Sequence, residues 1–208
     1  MKNILAFLII AILISCTDSR IDVVDMCVSK VSKKINNELT YEVRFNKPTS
    51  AIEIFYEGKF YNHTAGRIAY LCFLELENKG LIFTTYGVWD KQQINQGLYS
   101  SYDFKIIKEK NNIAQQFIES IKLSKYEVAI QLVDNLPMSD LKKFSSLIHD
   151  MDISIEFKGL VIRNIQNAPY AEVVYKMGDT DVFWVSYNLN KKKNSIVGFG
   201  LNPDKARW

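Results

Sequence analysis

An α+β fold is predicted for this 208-residue chain by three features of its pattern. Residues 113 to 148 carry apolar side chains at helical spacing, in runs broken only by turn residues. Residues 153 to 201 switch to short β-type segments separated by turn chemistry. No strand in that half is followed by a helix, so the pattern is helices first and a strand meander afterwards. That order is layer packing on an antiparallel sheet and not a parallel one. Composition agrees, because 48% hydrophobic and 12% aromatic residues describe a chain that buries a core.

Taken in order, the chain opens with Lys2 and an unbroken apolar run, Ile4–Ile14, closed by Leu13-Ile14-Ser15-Cys16. Eleven apolar residues fall short of the roughly 20 that cross a bilayer as a helix. A short basic start, an apolar stretch and a small residue before a cysteine resemble the lipobox signal of bacterial lipoproteins. That resemblance implies removal of residues 1–15, acylation of Cys16 and a tether over 16–20. It leaves 193 residues, the 208 less the 15 of the leader. Each buried methylene contributes about 0.8 kcal/mol, and several acyl chains hold a protein where one is marginal. Thr17, in place of the aspartate that retains some lipoproteins at the inner membrane, favours the outer one. An ordinary signal peptide, or a membrane helix with a chance cysteine, is the alternative.

From Ile21 to Asn36, Val24, Cys27, Val28, Val31 and Ile35 share one helical face. Asp22 and Asp25 lie in its first turn and Lys33 and Lys34 in its last, as the helix dipole favours. Leu39–Phe45 alternates like a half-buried strand. Ala51–Tyr61 suits either a strand or a helix capped by Thr49 or Ser50, and a helical or irregular reading is taken. Ala65–Glu77 is helical with Asn78-Lys79-Gly80 as its stop. Leu81–Val88 reads as a buried strand, Asp90–Ser101 as a loop and Tyr102–Ile107 as a further strand.

The charged run Lys108-Glu109-Lys110-Asn111-Asn112 reads as a boundary between an N-terminal α+β domain, 21–107, and a second domain, 111–203. Beyond it come helices over Ile113–Leu123 and Lys125–Val133, a break at Pro137, and a helix opened by Ser139 and Asp140. The β-type segments are Ile153–Ile165, Ala171–Met177, Val182–Leu189 and Ile196–Leu201.

Ala114-Gln115-Gln116-Phe117-Ile118 and Ser124-Lys125-Tyr126-Glu127-Val128-Ala129, followed by the late strands, resemble the nuclear transport factor two-like superfamily. The resemblance implies a cone-like domain in which the sheet wraps helices. It also brings the superfamily's uses: partner binding, an apolar ligand in the cone, or isomerase and dehydratase chemistry on an inward acid, here Asp181 with Tyr170.

Net charge of +3 makes no electrostatic case for nucleic acid. No nucleophile elbow, phosphate loop, calcium loop or zinc-protease helix is present, and no cofactor or metal is predicted. His63 opens a helix, and His149 ends one, where the dipole favours its cation. Asp150 and Asp152 read as solvated acids, and Lys191-Lys192-Lys193 as a hairpin tip. Cys27 and Cys72 form a disulfide in an oxidising compartment, or are two small buried apolar residues. Tyr170, Phe183, Trp184 and Tyr187 are the candidate pocket or partner surface. Alternation divides Phe183 and Tyr187 from Trp184, so one face packs on helices and the other is open to a partner or ligand.

The functional expectation is a membrane-anchored, non-enzymatic envelope lipoprotein that acts as an interaction or assembly module with an envelope protein partner. A carrier of a small apolar ligand is the alternative, and an enzyme comes third.

Overall fold

The computed structural model describes residues 19–35, 40–57, 62–90, 96–148, 156–165, 168–177, 181–190 and 195–201. The signal, Cys16, His149, Asp150, Asp152 and the Lys191–Lys193 tip lie outside them, as does the Asp181 side chain. The described residues form an α+β fold with helices before its second sheet. In chain order these are α1 (Ser19–Ile35), β1 (Tyr41–Asn46), β2 (Ala51–Tyr56), α2 (Asn62–Glu77), β3 (Thr85–Asp90) and β4 (Gln96–Ser100). Then come α3 (Ser101–Lys122), α4 (Tyr126–Gln131), α5 (Met138–Ile148), β5 (Glu156–Ile165), β6 (Ala168–Met177), β7 (Asp181–Asn188) and β8 (Ile196–Leu201).

α1 buries Val24, Cys27, Val28 and Val31, the stripe its spacing sets. The helical or irregular reading of Ala51–Tyr61 is corrected where it is described: Ala51–Tyr56 is strand β2, antiparallel to β1. Ile52, Ile54 and Tyr56 are fully buried at a period of two, which a helix would scatter around its circumference. Thr49 and Ser50 belong to the preceding turn, where Ser50 N–H donates to Lys47 O at 3.2 Å. β2 then runs parallel to β3 across the α2 crossover, and β4 closes the sheet in the order β1-β2-β3-β4. The first sheet is therefore mixed. Gln96–Ser100, expected as loop, is strand because Tyr99 turns its ring over Gly97, where no side chain competes for the space. The buried strand expected over Leu81–Val88 begins only at Thr85.

The largest correction concerns α3. Its 22 residues run unbroken through both the expected strand Tyr102–Ile107 and the expected boundary at Lys108–Asn112. Ser100 Oγ accepts from Asp103 N–H at 3.1 Å and starts the helix. The inward stripe passes through Phe104, Ile107, Lys110, Ala114, Phe117 and Ile121. A lysine in mid-stripe hides the period from a reading based on apolar residues alone.

β5 to β8 form an antiparallel meander in sequence order. Its open edge at β8 is met by the α4–α5 connection: Asp134 N–H donates to Ile196 O and Ile196 N–H to Leu132 O, both at 2.8 Å. One contiguous core runs from Val24 to Ile196 through both sheets. Tyr70 joins the halves, its ring 5.5 Å from Phe104 and 5.1 Å from Phe157. No described helix is long and apolar enough to cross a membrane.

Candidate functional site

The sheet's pleat separates the four aromatic candidates. Phe183 and Tyr187 are fully buried toward the helices, with Val185 between them. Phe144 lies 5.9 Å from Phe183 and 4.8 Å from Phe199, and Phe117 lies 4.8 Å from Phe199. Helix side chains thus occupy the space beneath the sheet where a cone ligand was expected. Trp184 projects from the opposite face, its indole laid over Gly198 and Gly200 of β8. Tyr170 stands half-buried at the sheet's end, accepting from Asn188 Nδ2 at 3.4 Å. These four residues are not one surface.

Cys27 and Cys72 are buried free thiols on α1 and α2. Burial pushes both thiols above their ordinary range, which suppresses the nucleophilic thiolate. They serve the core as small apolar groups.

The charged run Lys108–Asn112 supplies the polar seam between the halves. Lys110, 2% exposed, donates from Nζ to Asn188 O at 2.8 Å. Asn111 donates from Nδ2 to the Tyr70 hydroxyl at 3.1 Å and accepts from the Tyr175 hydroxyl at 2.7 Å. Desolvation pushes the Tyr70 phenol up to about 12 and raises Tyr175 well above its ordinary value. This seam ties α2, α3 and the second sheet with neutral phenols and an amide, an arrangement that orients elements.

His63 stands at the start of α2 and is 9% exposed. Its Nε2 lies 3.2 Å from Glu172 Oε1 on β6, with Gly159 making room for its Cβ. Arg67, one turn along, lies 3.9 Å from Glu156 at the start of β5, while its buried Nε has no hydrogen bond. Desolvation lowers the Arg67 pKa. Sequence reasoning missed this cluster because Glu172 is 109 residues from His63. Among the described residues no group of three or more His, Cys, Asp or Glu side chains is placed to hold a metal.

Exposed apolar side chains border a groove at the corner where α3, α4 and α5 meet. Ser124 ends α3 in the left-handed region at φ 56°, with Lys125 N–H donating to Ser120 O at 2.7 Å and Ser124 N–H to Ile121 O at 3.0 Å. This Schellman turn swings the chain into α4 and opens a groove of about 360 Å³. Lys125, Tyr126, Val128, Met138 and Lys142 line it. Leu123 is 63% and Val128 47% exposed, so apolar side chains stand in water beside two lysines. Tyr126 donates to Ser145 Oγ at 3.0 Å, which holds α4 against α5 beneath the groove.

No protein-family model, curated protein or solved structure matches the chain.

Proposed function

We propose that this chain is a lipid-anchored bacterial envelope lipoprotein acting as a non-enzymatic interaction or assembly module through the α3–α4–α5 corner. The observation that carries the reading is the exposure of Leu123 and Val128 beside a groove rimmed by Lys125, Glu127 and Lys142. Apolar side chains ringed by charge are what a protein partner buries. The sequence Leu13-Ile14-Ser15-Cys16 supports the anchor. Helices ahead of the meander, with Phe117 and Phe144 beneath it, support the likeness to the nuclear transport factor two-like superfamily. The same packing favours a partner surface over a ligand cavity in the cone.

Two measurements test this reading. Cys16→Ser expressed in a bacterial host should lose acyl labelling and move from the membrane to the soluble fraction. A photo-crosslinker at position 128 should yield a discrete adduct, and Leu123→Asp should remove it with folding stability unchanged within about 0.5 kcal/mol. Acyl labelling that persists in Cys16→Ser, or no adduct at position 128, would overturn the corresponding half of the proposal.

A further inference from the structure

One end of the first sheet gathers several connections. Ala51 pairs with Asn46 on one side and Thr85 on the other, and Thr85 pairs with Ser100. Thr84 N–H donates to Ser50 O at 2.9 Å and Ser101 N–H to Thr84 O at 3.0 Å. The 47–50 turn, the 78–84 link and the start of α3 therefore lie side by side. α1 sets out from the same end. Its middle passes the close of α2, with Lys30 Nζ 2.7 Å from Glu75 Oε1. Its last turns reach the sheet's far end, where Ser32 Oγ lies 2.8 Å from the Tyr56 hydroxyl and Tyr56 pairs with Tyr41.

Exposed apolar side chains and cations coincide at this end. Ile21, Ile82 and Tyr102 stand exposed on the first turn of α1, the 78–84 link and the first turn of α3. Arg20, Lys47, Lys79 and Lys105 are exposed around them, against Asp22 and Asp103. Asp103 is turned to the helix start, accepting from Ser100 Oγ at 2.7 Å. The acids at the close of α2 are already paired, Glu75 with Lys30 and Glu77 with Lys108, each at 2.7 Å. The end is therefore net positive.

We propose that this end of the molecule lies on the bilayer, with Ile21, Ile82 and Tyr102 at the lipid interface and the four cations over phosphate headgroups. The inference rests on the lipid-anchored reading of Cys16. That cysteine precedes Ser19 by three residues, an extended reach of about 10 Å at most, so its acyl chains would hold the first turn of α1 against the membrane. The tether selects the bilayer over a protein partner as the occupant. Anionic headgroups attract exposed lysine and arginine, and tyrosine suits an interface that is apolar on one side and wet on the other. Leu123 lies about 30 Å along α3 from Tyr102, so the lipid face and the partner corner are separate places on the molecule.

The test uses the full chain extracted from bacterial membranes and reconstituted in vesicles of equal parts phosphatidylethanolamine and phosphatidylglycerol. Ile82→Cys, Tyr102→Cys, Leu123→Cys and Leu147→Cys are each labelled with a bimane, to which the buried Cys27 and Cys72 are closed. Leu123 at 63% and Leu147 at 64% match the 62% exposure of Ile82, so location alone distinguishes the labels. Quenching by spin-labelled lipid is expected to be about twofold or more greater at positions 82 and 102 than at 123 and 147, as for side chains at the interface against side chains in water. Lys47→Glu combined with Lys79→Glu should lower the quenching at 82 toward that at 123, and so should replacing the phosphatidylglycerol with phosphatidylcholine. Equal quenching at all four positions, strongest quenching at 123, or no response to the charge reversal would overturn the inference. The mass of the extracted chain shows separately whether Cys16 is acylated. An unprocessed chain is held to the vesicle from the same side by Ile4–Ile14, so the quenching pattern is decisive in either case.

Discussion

Gly80 and Ser124 close two helices with the same turn. Leu81 N–H donates to Leu76 O and Gly80 N–H to Glu77 O, both at 2.9 Å, matching the pair of bonds around Ser124. Gly80 takes its φ of 73° without steric cost, whereas Ser124 holds φ 56° against its own Cβ. Ser124→Gly is therefore expected to stabilise the fold by about 0.5–1 kcal/mol, raising the melting temperature by roughly 1–4 °C in a thermal scan. An unchanged or lower melting temperature would contradict it. Tyr175→Phe works the other way. It removes the donor to Asn111 Oδ1 in a buried site and should cost about 1–2 kcal/mol in urea unfolding. Neither residue was legible beforehand, since a positive φ at serine and a bond spanning 64 residues have no local signature.

Among elements, the junction of α2 with β5 has the least tolerance. Gly66 brings the helix so close that a Cβ there would overlap the Leu160 carbonyl oxygen. Backbone cannot yield as a flexible side chain can. Gly66→Ala should cost about 3 kcal/mol or more despite alanine's better helix propensity, measured as a fall in urea midpoint. A gain in stability would show that propensity outweighs the contact. α1, the end of α2 and the meander were legible because their periods and stop signals are local. β2, β4 and α3 were not. Thr49-Ser50 fits a cap or a turn, Gly97 suggests a loop until Tyr99 covers it, and Lys110 interrupts the stripe of a continuous helix.

At the scale of the molecule, the core is rich in buried phenols. Tyr56, Tyr70, Tyr86, Tyr99, Tyr175 and Tyr187 all have pKa values raised chiefly by desolvation, Tyr70 to about 12. An unfolded tyrosine ionises near pH 10. Above about pH 10 the unfolded chain has lost protons that the folded chain retains, so stability falls as pH rises. Below that range both states hold the phenolic protons and this contribution is fully present. Phenolate absorbance is thus expected to appear in a late cooperative step together with loss of circular dichroism. Smooth ionisation near pH 10 with the dichroism intact would contradict the burial.

The sequence by itself determined the α+β class, the order of helices before a meander, the buried stripe of α1 and the sharing of one sheet face by Phe183, Val185 and Tyr187, though not that this face is the inward one. Each follows from a short repeat, because facing is a matter of period along one element. Only the tertiary structure decided that β2 and β3 run parallel, that one helix runs unbroken through Lys108–Asn112 with Lys110 buried within it, and that His63 meets Glu172. Those outcomes depend on which distant elements come together, and a lysine or histidine carries no local mark of the carbonyl or carboxylate that will satisfy it.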